Sequence, residues 1–148
     1  MDLYDYLTEN IKKPRGFLEN LPIDILEIRQ GYIRARLNPM PGNANPFGTV
    51  HGGCYYAVAD TVAGTAGMTY GHYVTTTTGH IHYLCGASVE EPLMVETTEI
   101  KAGHNIMTYD VTFSTKEGKI VCRATLEYYV LGKILLEDSG RKVEREGE

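Results

Sequence analysis

Apolar residues recur every three or four positions near the start of the chain and then every second position. The first pattern covers residues 2–12 and ends before Pro14, which predicts a short amphipathic helix laid over a core. The second covers residues 23–37, contains the turn candidate Gln30-Gly31, and predicts a β-hairpin. The apolar positions are Leu3, Tyr6, Leu7 and Ile11 in the helix and Ile23, Ile25, Leu26, Ile28, Ile33, Ala35 and Leu37 in the hairpin.

The stretch from Asn45 to Met68 changes from a loop into about four helical turns without a proline. We predict a helix from about Gly53 to Met68 and expect it to be buried, because its residues are apolar or small on every side. Its only ionisable carboxylate is Asp60. Since glycine in a helix interior costs about 1 kcal/mol relative to alanine, the glycines beside Asp60 indicate that a backbone or a ligand comes close. The small residues on this face are Gly53, Ala57, Ala63, Gly64 and Gly67.

Four further strands are predicted after this helix, with turns about a dozen residues apart, the spacing of an antiparallel meander. The predicted fold class is therefore α+β, with an antiparallel sheet of five or six strands wrapped around one long central helix. Pairing across a two-fold axis would cover the edge strands of such a sheet. We place a single domain with an N-terminal helix in residues 1–136, and a charged, disordered tail in residues 137–148.

Composition narrows the possible partners. A net charge of −5, from 14 basic and 19 acidic residues, disfavours nucleic acid or anionic lipid as the main partner. The three cysteines are widely spaced and contain no C-x-x-C pair, which favours reduced thiols in the cytoplasm. The acidic start predicts no signal peptide, and we expect no segment that crosses a membrane.

The helix start and Asp60 are the candidate catalytic groups. His51-Gly52-Gly53 precedes the helix, where unpaired backbone N–H groups and the positive end of the dipole suit a carbonyl oxygen that gains charge in acyl transfer. Asp60 lies eight residues beyond Gly52, or ~12 Å along the axis, so it cannot act on a carbonyl held at Gly52 of its own chain. A catalytic site would therefore combine two subunits related by a two-fold axis.

Structural explanations compete with this hypothesis. Asp60 could be a satisfied buried polar group, and His51-Gly52-Gly53 a helix-entry turn. His80 and His82 alternate on one strand face, but without a third ligand at a recognisable spacing a structural role is favoured over a metal site. Cys54 is expected to be a core thiol, because no partner base is identifiable. Most of the tyrosines are expected to be strand and packing residues.

The motif Asn-x-x-Gly-x-x-His-Gly-Gly followed by Ala-Asp resembles that of hot-dog-fold acyl-CoA thioesterases of the phenylacetic-acid-degradation (PaaI-like) type. The resemblance covers roughly residues 20–131 and implies that Asp60 acts as nucleophile or general base. It implies that the Gly52 amide polarises the thioester carbonyl and that Asn45 and His51 orient the carbonyl or the water. It also implies that a strand hydroxyl, from Thr76 or Thr77, assists the aspartate of the same subunit. The candidate substrate-binding residues are Gly53, Tyr56 and Gly64, and the motif positions are Asn45, Gly48, His51, Gly52, Gly53, Ala59 and Asp60.

The resemblance also implies homodimers, usually paired into tetramers, an acyl-CoA substrate, no metal and no cofactor besides the coenzyme A of that substrate. Many relatives carry a basic residue after the Gly103 turn that meets coenzyme A phosphates. This chain has His104 there, with Lys101, Arg123 and Lys133 as alternatives. Tyr55, Tyr56, Tyr70 and Tyr73 permit an aromatic acyl pocket. Two other functions remain open: a non-catalytic acyl-CoA-binding module, and an acyl-thioester hydratase or dehydratase.

Overall fold

Six antiparallel strands form one sheet in the computed structural model, which describes residues 1–136. The predicted tail, residues 137–148, lies outside the described residues, and the domain boundaries stay a prediction. In chain order the helices and strands are α1 Leu3–Lys12, β1 Ile23–Arg29, β2 Tyr32–Leu37, α2 Gly52–Met68, β3 His72–Tyr83, β4 Leu93–Ala102, β5 Ile106–Ser114 and β6 Ile120–Lys133, with short 3-10 helices at Gly16–Asn20 and Pro41–Asn43.

The N-terminal helix α1 is confirmed. Its first turn is closed by a capping box, in which the Asp2 side chain accepts from the Asp5 N–H and the Asp5 side chain accepts from the Asp2 N–H. This arrangement satisfies two backbone donors that a helix start would otherwise leave unpaired. Leu7 and Ile11 are buried on one face, and the helix packs on β1.

The β1–β2 hairpin is also confirmed, with Gln30-Gly31 as its turn. Gly31 has a φ of +73°, which a residue with a side chain adopts only with strain. The register shifts between Ile25 and Glu27, so a bulge at Leu26 explains why two apolar residues are adjacent in an alternating strand. Leu26 is 38% exposed.

Helix α2 contacts all six strands and is mostly buried, as predicted, although it begins one residue earlier, at Gly52. The atoms nearest to Gly64 and Gly67 belong to side chains and not to another backbone, and the approach of a ligand stays a prediction. These side chains come from the sheet: a Cβ at Gly64 would lie 3.4 Å from the Tyr128 ring, and one at Gly67 would lie 3.3 Å from the Met107 sulfur. Neither described helix is long and apolar enough to cross a membrane.

The sheet order is β1-β2-β4-β5-β6-β3, and every pairing is antiparallel. The predicted fold class is confirmed, but the meander holds only for β4, β5 and β6. Strand β3 pairs with β6 rather than with β4, because α2 carries the chain across one face of the sheet to the far edge before β3 begins. Strand β3 is therefore an edge strand, and four consecutive threonines in it, Thr75 to Thr78, are exposed.

Two leucines of the hairpin test which of its side chains face the core. Leu37 is fully buried, whereas Leu26 lies at the bulge and is partly exposed. We expect Leu37→Ala to lower the free energy of unfolding by about 2–5 kcal/mol, from lost burial and the remaining cavity. Leu26→Ala should cost less than about 1 kcal/mol. Urea denaturation at one fixed protein concentration measures both, and equal losses would contradict the bulge.

Candidate active site

Asp60 lies on the part of α2 that the chain's own sheet leaves partly exposed. One carboxylate oxygen, Oδ1, accepts two hydrogen bonds, from Thr76 Oγ1 at 2.7 Å and from the Tyr128 hydroxyl at 3.0 Å. The Tyr128 hydroxyl also lies 2.9 Å from the Asp60 backbone oxygen. The second carboxylate oxygen accepts no hydrogen bond from residues 1–136, so it is available to another molecule.

The structure distinguishes the two threonine candidates. Thr76 Oγ1 donates to Asp60, whereas Thr77 Oγ1 donates to the backbone oxygen of Glu127. The β3–β6 register shifts between Thr76 and Thr78, so Thr77 occupies a bulge and its side chain is turned away from Asp60. Sequence alone left this choice open because a bulge changes which face each residue occupies.

Tyr128 is a site residue that sequence reasoning missed. It is buried in β6, opposite Thr76 of β3, and burial, followed by the negative charge of Asp60, raises its pKa. The hydroxyl therefore keeps its proton and remains a donor to the carboxylate at neutral pH. Pairing β3 with β6 would have placed Tyr128 opposite Thr76. The predicted meander did not contain that pairing, so Tyr128 was missed.

The start of α2 forms a second cluster. The imidazole of His51 caps the helix, with Nδ1 accepting the Gly53 N–H at 2.8 Å. Because Nδ1 is the acceptor, the proton of the neutral ring lies on Nε2. The N–H groups of Cys54 and Tyr55 reach the His51 oxygen. Within the described chain, the Gly52 N–H is the donor at this helix start that has no acceptor, so the several unpaired N–H groups that we predicted reduce to one.

Asn45 organises the loop before the helix. Its side-chain oxygen accepts from the N–H groups of Phe47 and Thr49, and its Nδ2 donates to Thr49 Oγ1 at 2.7 Å. One N–H of the amide group remains beyond the Thr49 bond. The loop is thus held in a fixed shape by the same residue that the resemblance assigns to the substrate.

The predicted site residues fall into two groups within one chain. Asp60, Thr76 and Gly64 lie together with Tyr128, and they line or adjoin one cavity. Asn45, His51, Gly52 and Gly53 lie at the helix start, about 12 Å away along the axis. There the Tyr83 hydroxyl donates to the Gly52 oxygen at 2.9 Å.

Tyr56 joins neither group. It is partly exposed and packs over Gly79 of β3, where an added Cβ would overlap its hydroxyl. Tyr55 is buried against the edge of the Phe113 ring, Tyr70 donates to Glu99, and Tyr73 contacts Tyr6. None of the four tyrosines offered for an aromatic pocket lines the cavity beside Asp60.

The structural alternatives for cysteine and histidine agree with the geometry. Burial raises the pKa of the Cys54 thiol to about 11 and that of Cys122 to about 12, so both are core thiols rather than nucleophiles. His80 and His82 contact each other, with ring centroids 4.8 Å apart. In the part of the chain that the structure describes, no three His, Cys, Asp or Glu side chains are grouped to hold a metal.

The basic residues offered for the coenzyme A phosphates are all on the surface. Lys101, His104, Arg123 and Lys133 are exposed, and none of them lines the cavity beside Asp60. Their role stays a prediction.

Comparison with known proteins gives a family match. The sequence profile of the thioesterase superfamily matches residues 47–122, which include Gly52, Asp60 and Thr76. A proposed esterase of Archaeoglobus fulgidus is 26% identical over 120 residues, or 81% of this chain and 75% of that protein. A second proposed esterase, from Thermoplasma acidophilum, is 25% identical over 117 residues, or 78% of this chain and 88% of that protein.

Solved structures share the fold at lower identity. The Escherichia coli PaaI protein of the phenylacetic acid degradation operon superimposes with a TM-score of 0.79, at 18% identity, over 89% of this chain and 98% of that one. A Streptococcus mutans protein bound to acetyl-CoA gives 0.76, at 24% identity, over 83% and 97%. A hypothetical thioesterase of Streptococcus pneumoniae with coenzyme A gives 0.73, at 24% identity, over 76% and 88%. These likenesses confirm the predicted hot-dog fold.

Two His51 variants test the helix cap. His51→Ala removes the acceptor for the Gly53 N–H and should lower the free energy of unfolding by about 0.5–2 kcal/mol. His51→Asn supplies another good capping acceptor and should recover most of that loss. Urea denaturation at one fixed protein concentration compares them. If both variants lose the same stability, the imidazole contributes through packing and not through the cap.

Proposed function

The chain belongs to the thioesterase superfamily, and we propose that it hydrolyses an acyl-coenzyme A to a free acid and coenzyme A with Asp60 of one subunit and the Gly52 amide of its partner. The observation that carries the proposal is the carboxylate of Asp60, which is held through one oxygen and accepts no hydrogen bond at the other from residues 1–136. Water supplies the oxygen and hydrogen that the reaction adds. The proposal requires no metal or resident cofactor.

Thr76 and Tyr128 prepare the carboxylate for this role. Both donate to Oδ1, at 2.7 Å and 3.0 Å, so two hydrogen bonds hold that oxygen in place. They also fix the direction in which the free oxygen points. That oxygen either takes a proton from the attacking water or attacks the carbonyl carbon itself. If Asp60 takes the proton, the water oxygen bonds to the carbonyl carbon, the C–S bond breaks, and the coenzyme A thiolate receives that proton. If Asp60 attacks the carbon, loss of the thiolate leaves an anhydride between Asp60 and the acyl group; water then hydrolyses it to the free acid, restores the carboxylate and supplies the proton of the thiol.

The oxyanion site follows from the helix start. The thioester oxygen becomes negative as the carbonyl carbon is attacked, and an unpaired N–H at the positive end of a helix stabilises that charge. The Gly52 N–H has no acceptor in the described chain, whereas its neighbours are occupied. The Nε2–H of His51 and the second N–H of the Asn45 amide group are further donors to the carbonyl or to the water.

A dimer is needed to bring the two groups together. Gly52 and Asp60 of one chain are separated by about 12 Å along α2, so the Gly52 amide beside a given Asp60 must come from another chain. Strand β3 supports this, since it is a 12-residue edge strand with an exposed stretch, and such an edge readily pairs with another chain. We propose pairing of β3 across a two-fold axis; assembly of dimers into tetramers and a cytoplasmic location stay predictions.

Solved relatives support the substrate and the pair of residues. One was determined with acetyl-CoA and another with coenzyme A. The Streptococcus pneumoniae protein was also studied with an aspartate and, sixteen positions further along, a threonine each replaced by alanine. Asp60 and Thr76 are sixteen positions apart here. A hydratase or dehydratase would pair a histidine with the carboxylate, and no described histidine lines the cavity beside Asp60.

Thiol release from a panel of acyl-CoAs, followed with a thiol reagent, tests the activity and separates it from simple binding. Within that assay, we expect Asp60→Asn to lower kcat by at least ~10²-fold, because it removes the base or nucleophile while keeping the shape. Asp110→Asn is the matched control, since Asp110 also accepts a threonine hydroxyl, from Thr125 at 2.6 Å, but lies on β5 away from the cavity. Near-normal turnover by Asp60→Asn would refute the proposal.

The Gly52 amide can be removed alone. Proline is tolerated at the first position of a helix, and His51 already has the extended backbone, φ −64° and ψ 138°, that a residue before proline prefers. Gly52→Pro removes the N–H, and Gly52→Ala adds the same Cβ while keeping it. We expect kcat to be ~10²–10³-fold lower in the proline variant than in the alanine variant. Equal activities would mean that this amide does not stabilise the oxyanion.

Mixing the variants tests the shared site. In a heterodimer of Asp60→Asn and Gly52→Pro chains, one of the two sites combines an intact Asp60 with an intact Gly52. The mixture should therefore recover activity that neither parent has. If heterodimers form and remain inactive, Asp60 and Gly52 serve the same chain's site and the two-subunit mechanism is wrong.

A further inference from the structure

A cavity of about 480 Å³ lies beside Asp60, between α2 and the N-terminal segment. One wall is a stripe of α2 that begins at Asp60 and reaches Met68, eight residues or ~12 Å further along the helix. Helix α1 contributes Tyr6, Asn10 and Ile11. The volume lies within the usual range for a small-molecule site.

The cavity is built into the fold. Helix α1 is fixed over it by the buried Leu7 and by a 3.3 Å contact between the hydroxyls of Tyr6 and Tyr73. Four of the fourteen lining residues have apolar side chains, and contact with them suits a hydrocarbon chain better than the phosphates of coenzyme A. These apolar lining residues are Ile11, Leu18, Met68 and Val74.

Two polar groups in the lining have no partner in the described chain. The Asn10 amide makes no hydrogen bond, and the Arg15 guanidinium makes no ion pair; the ion pairs within residues 1–136 involve other residues. Lys13, which also lines the cavity, is already paired with Glu9 at 3.3 Å. Arg15 carries no cap hydrogen bond either, and its exposed guanidinium is therefore available to a ligand at the mouth of the cavity.

We propose that this cavity receives the acyl group, and that Arg15, together with Asn10, selects acyl chains that end in a carboxylate. The inference rests on the proposed thioesterase function and names its substrate class, the monothioesters of coenzyme A with dicarboxylic acids. A guanidinium binds a carboxylate through two parallel hydrogen bonds, and the Asn10 amide adds a donor. The apolar lining holds the methylene groups between the two ends.

The negative charge of Asp60 requires the terminal carboxylate of the substrate to lie at a distance from the thioester. Asp60 and a substrate carboxylate repel each other when they are close, and Asp60 forms no ion pair with Arg15. An acyl chain with several methylene groups keeps the two negative charges apart and brings the outer one to the arginine. The pocket therefore selects for the end group and for chain length together.

The ratio of kcat/KM for two substrates of equal chain length tests the role of Arg15, because a general change in activity cancels from the ratio. Adipoyl-CoA and hexanoyl-CoA have the same chain length and differ in the terminal carboxylate. We expect kcat/KM to be higher for adipoyl-CoA, and Arg15→Met to lower the adipoyl to hexanoyl ratio by at least ~10-fold, the effect of a lost charge-assisted hydrogen bond. Lys12→Met removes an exposed cation from α1 that does not line the cavity and should leave the ratio unchanged.

Each other outcome has a defined meaning. If Arg15→Met lowers kcat/KM equally for both substrates, the arginine meets coenzyme A and the inference is wrong. A wild-type preference for hexanoyl-CoA also overturns it. If no acyl-CoA is hydrolysed, the proposed function fails on its own, and calorimetric titration with the same two thioesters still decides the inference: adipoyl-CoA must bind more tightly, and the Arg15→Met variant must lose that difference.

Discussion

The hydrogen bonds between Asp60, Thr76 and Tyr128 connect the helix to two neighbouring strands. A partly buried carboxylate is costly unless donors satisfy it, and Thr76 and Tyr128, which lie opposite each other in the β3–β6 pair, supply two donors to the same oxygen. This arrangement joins α2 to β3 and β6 at Asp60. It directs the free carboxylate oxygen, and Thr76 and Tyr128 line the same cavity as Asp60.

Side chains of the sheet pack closely on the small residues of α2. The Tyr128 ring lies over Gly64, where an added Cβ would be 3.4 Å away, and the Met107 sulfur lies over Gly67, where an added Cβ would be 3.3 Å away. The far end of the helix is held by a separate network, in which the Thr69 hydroxyl accepts the Gly31 N–H and donates to the Ala66 oxygen. The helix is thus held to the rest of the domain by polar contacts at its middle, through Asp60, and at its C-cap, through Thr69.

Local patterns predicted the elements, and non-local pairing decided the details of the site. Helical spacing of apolar residues predicted α1, a proline-free run of apolar and small residues predicted α2, and alternation predicted the hairpin and the later strands. The choice between Thr76 and Thr77 depended on a bulge, the role of Tyr128 depended on the pairing of β3 with β6, and the cap by His51 depended on side-chain geometry. None of these leaves a periodic signal, because each arises from contacts between residues that are distant in the chain or from a single local rotation.

The pairing of β3 with β6 has a consequence for the order of folding during synthesis. Thr76 emerges from the ribosome about fifty residues before its partner Tyr128, and pairings between distant residues form late because a long loop must close first. The β1–β2 hairpin can form early from local contacts, whereas β3 cannot pair until β6, the last strand in the chain, has been made. The carboxylate of Asp60 therefore acquires its two donors only when almost the whole described chain has been made, and the nascent protein carries no assembled site until then.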